Sequence, residues 1–152
     1  MKILVLSDSH GNFNAIYDIA IKENPDLIIH LGDGAKEAED LGYVVDKRVI
    51  SVRGNCDWSS MLEAELIYEA AGKRLFICHG HTFSVKSGMG AVINAAHNHK
   101  CDVLLFGHTH QQLYLIDRGM HVLNPGSAGY MKQYGIIEIS NDDIRISRCS
   151  LN

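Results

Sequence analysis

Three short apolar runs, each closing on a polar turn, constrain this chain most. KILVLSD (Lys2–Asp8), DLIIHLGD (Asp26–Asp33) and RVISVRGN (Arg48–Asn55) are too short for buried helices and read as strands. Between the first two lies GNFNAIYDIAIKE, in which Phe13, Ile16, Ile19 and Ala20 recur at helical spacing. Asn12 or Asn14 can cap that helix, and Pro25 ends it. AKEAEDLG between the second and third runs reads as a short helix closed by Gly42. Strands alternating with helices predict a parallel sheet with right-handed crossovers.

The second half changes character. AELIYEAAGKRLFICHGH reads as a hairpin around Gly72, SGMGAVINAAHNH as a helix, and CDVLLFGHTH as another buried strand. QLYLID, HVLNPGS, YGIIEIS and DIRISRC follow as short strands with the spacing of antiparallel pairing. The expectation is an α/β fold, a single domain over residues 1–152, with two sheets and flanking helices. At 152 residues and 46% hydrophobic, the chain can bury a sizeable core.

Charge excludes some partners. The formal net charge of -4, with Lys and Arg scattered, gives no basic footprint for nucleic acid and no polybasic membrane patch. No apolar run approaches the length of a membrane span or a secretory leader, so a cytoplasmic location is expected. The four cysteines, Cys56, Cys78, Cys101 and Cys149, contain no CxxC pair and suggest neither a disulfide framework nor structural zinc. The C-terminal strands could pair at an edge with a second copy, giving a homo-oligomer.

The polar residues gather at the strand ends. SDSHG, LGDG, RGNCD, CHGHT and FGHTHQ each follow an apolar run and set Asp, Asn or His beside Gly. Ligands of α/β sheets bind at the carboxyl ends of strands, so these five turns are expected to meet. Together they offer Asp8, His10, Asp33, Asn55, His79, His108 and His110. Asp or Asn beside Gly is commonly just a turn, but that reading does not account for three histidines in equivalent places. Seven donors exceed what one ion needs and suit two ions sharing a carboxylate. Mixed nitrogen and oxygen donors favour Mn, Fe, Zn or Ni over Mg or Ca. Of the other histidines, His30 reads as a core or supporting residue, His97 and His99 as helix-end residues, and His121 as structural.

DSH, GD, GN, HGH and GHTH, in that order and each at a strand end, resemble the calcineurin-like metallophosphoesterase family. The likeness runs from Asp8 to NPGS at Asn124–Ser127, and GNCD with the short length is similar to its small YfcE-like phosphodiesterase branch. The resemblance implies a four-layer α/β/β/α sandwich with a dinuclear centre at one edge of two mixed sheets. It implies Asp8, His10 and His110 on a first divalent ion, Asn55, His79 and His108 on a second, and Asp33 bridging both, with manganese foremost and Ni, Zn or Fe as alternatives. It further implies phosphodiester hydrolysis of a small substrate by a metal-bridging hydroxide, with Asp33, Asn55 and His108 central to catalysis. Phosphomonoester hydrolysis is the runner-up. A retromer subunit of the same fold serves as a protein-binding platform, so a scaffold is a further alternative, and a metal store or sensor is another. His81 and Cys56 stand as candidate substrate contacts. Cys56 replaces the usual His after Asn; a thiol is a poorer acid than an imidazolium, and a packing role is the reading preferred for it. Asn124 and Ser127 read as supports of the site wall.

Overall fold

The computed structural model describes residues 1–152. The first apolar run forms β1 (Lys2–Leu6), whose side chains divide between two cores. Ile3 and Val5 face one way, Leu4 and Leu6 the other, and all four are fully buried. β2 (Leu27–His30) repeats this, with Leu27 and Ile29 opposite Ile28. Because side chains alternate across a strand, a run with both faces buried is continuously apolar.

α1 (Phe13–Glu23) connects β1 to β2, and α2 (Ala35–Val45) connects β2 to β3 (Val49–Ser51). The three strands pair in parallel, as the alternation predicts. The Asn12 side chain accepts from the Ala15 N–H at 3.2 Å to cap α1, which ends on left-handed Asn24 before Pro25. α2 does not stop at Gly42. It runs on to Val45 and ends on left-handed Asp46. Gly42 serves packing instead, since a Cβ there would meet Val49 Cγ2 at 3.0 Å, where the helix lies against β3.

A hairpin of β4 (Glu65–Ala70) and β5 (Lys73–Cys78) opens the second sheet, turning through Ala71 and Gly72, both at positive φ. α3 (Gly90–Asn98) leads to β6 (Val103–Leu105), and β7 (Leu113–Asp117) and β8 (Met120–Asn124) form a second hairpin. Antiparallel pairing is not general here. β5, β6 and β8 run parallel, giving the order β4-β5-β6-β8-β7. After the one-turn α4 (Ala128–Met131), β9 (Gln133–Ser140) and β10 (Asp143–Ser150) return to the first sheet, β9 antiparallel to β1, giving β10-β9-β1-β2-β3.

Three cores stack these elements. Ile3, Val5 and Ile29 meet Leu75, Ile77 and Leu105 between the sheets. Leu4, Leu6 and Ile28 pack on Ile16, Ile19 and Leu41 of the first helices. Phe76, Leu104 and Phe106 pack on Val92 and Ala96 of α3. The result is a four-layer α/β/β/α sandwich of two mixed sheets. No helix is long and apolar enough to cross a membrane.

One polar knot ties three elements. The Glu23 carboxylate at the end of α1 lies 2.8 Å from Lys2 Nζ of β1 and accepts from the Tyr134 hydroxyl of β9 at 2.6 Å. Burial pushes the Glu23 carboxyl upward, but the Lys2 and Tyr134 bonds outweigh it and its pKa lies below the ordinary value. A carboxylate whose folded pKa is depressed adds stability above its unfolded pKa and loses it as pH falls through the folded value. Glu23→Gln is therefore expected to cost about 1 kcal/mol at neutral pH, after discounting for the partly exposed Lys2. Urea unfolding should show that difference shrinking below the ordinary Glu pKa.

Candidate metal centre

Parallel strands deliver their carboxyl ends to one edge, and the loops that follow meet there. Asp8 and His10 come from the turn after β1, Asp33 from that after β2, Asn55 from that after β3, His79 from the end of β5, and His108 and His110 from the turn after β6. Asp8, His10, Asp33, His108 and His110 all have positive φ, between 46° and 68°. Left-handed backbone costs a non-glycine residue about 1 kcal/mol or more, so five such residues in one place are held there by their surroundings. Interlocking loop bonds do this: Asp8 N–H donates to Gly32 O at 3.0 Å, His10 N–H to Asp33 O at 3.0 Å, and Gly107 N–H to His79 O at 2.9 Å.

The donor atoms fall into two sets. In one, the Nε2 atoms of His10 and His110 stand 3.3 Å apart, with Asp8 Oδ1 3.1 Å from His110 and 3.5 Å from His10. In the other, His79 Nε2 lies 3.0 Å from Asn55 Oδ1, 3.1 Å from His108 Nδ1 and 3.4 Å from Asp33 Oδ2. Asp33 Oδ2 also lies 3.9 Å from His10 Nε2, so one oxygen faces both sets. Donors about 2.1 Å from a shared ion stand roughly 3.0–3.4 Å from one another, so both sets fit a divalent transition metal.

Neighbours aim these donors. The His79 Nδ1–H donates to the Leu31 carbonyl at 2.8 Å, which turns Nε2 toward the cluster. Asp8 is fully buried, and its Oδ2 accepts from Ser7 Oγ at 2.5 Å and the His108 N–H at 3.1 Å, leaving Oδ1 inward. Asp33 Oδ1 accepts from the Cys56 N–H at 2.8 Å. A Cβ on Gly54 would lie 2.1 Å from that oxygen, so glycine is required for the carboxylate to pack there.

Electrostatics follow from the geometry. Burial raises the Asp33 carboxyl, yet its bonds with His79 and the Cys56 N–H win, and its pKa lies far below the ordinary range. Burial opposes charge on His79, but Asp33 and Asp8 hold its pKa above the usual value. The two carboxylates thus demand positive charge, from a proton or a metal ion. His108 is pushed down to about 4 by burial and then by His79 and Lys86, so its imidazole is neutral, as a ligand must be.

All seven sequence-derived donors converge. His81 sits beside them, its ring centroid 5.4 Å from that of His79, and its buried Nδ1 has no hydrogen-bond partner. Burial and the charge on His79 lower its pKa. Cys56 is exposed, which corrects the packing role expected for it, since its thiol is not enclosed by neighbours. Its Sγ lies within 4.8 Å of donor atoms of His10 and Asp33. Asn124 and Ser127 support the wall as read: Asn124 Nδ2 donates to Gly107 O and Thr109 Oγ1, both at 3.0 Å, and Ser127 Oγ donates to Asp8 O at 2.9 Å. His97 lies outside the site and pairs with Asp117 at 2.9 Å. A cavity of about 740 Å³, lined by Lys36, Trp58 and Met61, adjoins the cluster only at Cys56 and Asp57.

Asp57 is the residue that sequence reasoning missed. Its carboxylate accepts from four backbone N–H groups: Asp33 and Gly54 at 2.7 Å, and Gly34 and Ala35 at 3.0 Å. It caps α2, whose own N-cap is Gly34, and fastens the Asp33 loop to the Asn55 loop. An acidic residue three places after Gly54 in a tight turn was the available signal.

Residues 1–142 match the calcineurin-like phosphoesterase superfamily domain. The chain is 32% identical over 149 residues to a probable metallophosphoesterase, YsnB of Bacillus subtilis, covering 93% of this chain and 86% of that one. It is 28% identical over 176 aligned positions to the phosphodiesterase YfcE of Escherichia coli, covering 91% and 88%. The wild-type Vps29 of Entamoeba histolytica complexed with zinc has the same fold, with a TM-score of 0.81 at 19% identity and full coverage of both chains. The chain therefore belongs to the calcineurin-like phosphoesterase superfamily. It is a metal-dependent phosphoesterase by family, and the donor set described above holds candidate ligands for divalent ions.

Asp57→Asn sets an amide N–H against backbone N–H groups. It is expected to weaken manganese binding by about 10–100-fold, the range for residues that orient metal ligands, without loss of the folded circular-dichroism spectrum. Calorimetric titration of the ion-free protein would measure it.

Proposed function

We propose that the protein hydrolyses phosphodiesters at a dinuclear centre, with Asp8, His10 and His110 on one ion, Asn55, His79 and His108 on the other, and Asp33 shared. The observation that supports this most is the pair of donor sets meeting at Asp33 Oδ2, 3.4 Å from His79 and 3.9 Å from His10. When bound, two divalent ions lower the pKa of water and neutralise charge on phosphoryl oxygens. Manganese is the favoured ion, with Ni, Zn or Fe as substitutes for the same nitrogen and oxygen donors.

The chain's own residues do the rest. Asn55 contributes an oxygen without adding negative charge. His81, with its pKa lowered, offers an N–H rather than a full charge to a phosphoryl oxygen. Cys56 is a poor acid, because slight desolvation at its exposed position and then the Asp33 carboxylate raise its thiol pKa. Protonation of a basic leaving group then lacks an obvious donor, which favours diesters with good leaving groups over unactivated monoesters. Phosphomonoester hydrolysis is the second enzymatic reading.

A scaffold of the same fold is the rival from another class. The likeness to Vps29 supports it, as do Trp58 and Met61, 90% and 98% exposed beside the site. Against it stands the complete donor set, which a scaffold has no need to keep.

The deciding experiment strips the metal and assays an activated aryl phosphodiester beside the matching monoester, with Mn, Ni, Zn and Mg restored in turn. Diester turnover is expected to return with a transition metal, and to fall by at least about 100-fold in Asn55→Ala and His108→Ala. A monoester preference would mean another acid serves the leaving group. Bound metal with no turnover on either ester would favour the scaffold.

A further inference from the structure

The segment after β8 is joined to the first metal-ligand loop more tightly than a connector needs. Ala128 N–H donates to Ser7 O at 2.9 Å, Gly129 N–H to Asp8 O at 3.2 Å, and Asn12 Nδ2 to Gly129 O at 3.0 Å. A Cβ on Gly129 would lie 2.2 Å from Ser9 O, so only glycine allows this approach. Ser127 Oγ accepts from the Tyr130 N–H at 3.1 Å while donating to Asp8 O. The backbone of Tyr130 is thereby fixed relative to Asp8.

From that position the Tyr130 ring stacks on His10, with centroids 5.1 Å apart and planes 24° from parallel. It also approaches His110, at 5.5 Å and 47°. Both imidazoles belong to the same donor set. Yet Tyr130 is 65% exposed, so its ring is covered on the histidine side and open on the other. A large aromatic surface held in place beside a reactive centre and left wet has already lost the freedom that stacking would cost it.

We propose that Tyr130 is a specificity-determining residue: its open face stacks on a planar aromatic group, a nucleobase or aryl ring, carried by the phosphate ester held at His10 and His110. This deepens the phosphodiesterase reading and rests on it. A planar aromatic substituent offers the ring a matching π face, which a ribose or alkyl group lacks. Trp58 is the other exposed aromatic near the centre, but it lines the separate cavity beyond Cys56.

The test is calorimetric binding to the manganese-loaded full chain of three probes: adenosine 5′-monophosphate, ribose 5-phosphate and inorganic phosphate. Wild type is expected to bind the nucleotide roughly ten-fold more tightly than ribose 5-phosphate, the lower end for one base–aromatic contact. That ratio should fall to about one in Tyr130→Ala and persist in Tyr130→Phe, which keeps the ring. Equal affinities in wild type, or an unchanged ratio in Tyr130→Ala, would overturn the proposal. So would a ratio lost in Trp58→Ala instead, which would seat the base in the cavity. Phosphate binding without nucleotide preference defeats this proposal alone; no binding of any probe, inorganic phosphate included, defeats the phosphoesterase site as well.

Discussion

Burial of the central strands on both faces governs this molecule. β1, β2, β5 and β6 each send alternate side chains into two different cores, so chemistry-bearing residues are confined almost wholly to the strand ends. Parallel pairing then brings those ends to one edge, and the shared core between the sheets sets the two edges side by side. The buried polar exceptions confirm how narrow the allowance is. His30 lies fully buried in β2, held between the Gly32 N–H at its Nδ1 and the Ser9 hydroxyl at its Nε2. Burial lowers its pKa, so it sits there as a neutral group with both nitrogens satisfied.

Convergence alone does not make a site, because each loop must also turn its side chain inward. Left-handed backbone at Asp8, His10, Asp33, His108 and His110 provides that turn. The strain is sustained by loop-to-loop hydrogen bonds, with the four-amide clasp of Asp57 on one side and Ser127 with Gly129 on the other. These supports leave the donor atoms no better arrangement than facing one another across distances a metal ion can span. Asp8, Asp33 and His79 are each oriented by a group outside the cluster: the Ser7 hydroxyl, the Cys56 N–H and the Leu31 carbonyl.

Much of this was legible in the sequence, and the reasons for the rest are physical. The apolar runs, the Asn12 cap, the Pro25 stop and the five polar turns are local signals, and local signals survive in a single chain. The extension of α2 past Gly42 was hidden because a glycine that would end a helix is here needed for close packing on Val49, a tertiary demand. The parallel pairing of β6 with β8 and the return of β9 to β1 depend on which sheet can cover which apolar face. All seven donor residues could be picked out by type and place. Asp57 carried only a weak local signal, its place three residues after Gly54, because its other partners are backbone amides that become neighbours only when two loops, 24 residues apart at Asp33, are folded together. Tyr130 was equally silent, since only the fold stacks it on His10.

The position after Asn55 shows how one residue can shape the chemistry of a shared donor frame. An imidazolium there would add positive charge over the phosphate and a proton for the departing oxygen. Cys56 supplies neither, and the Asp33 carboxylate beside it disfavours the thiolate as well, so it is not a ready nucleophile. On the proposed phosphodiesterase reading, transition-state stabilisation would fall on bound ions and the donors that hold them, and substrate choice on groups that touch the rest of the ester. In such a site the ester's own leaving ability limits which bonds are cut. An exposed ring at Tyr130, stacked on His10, is the kind of surface that can select among those esters without altering the reacting centre.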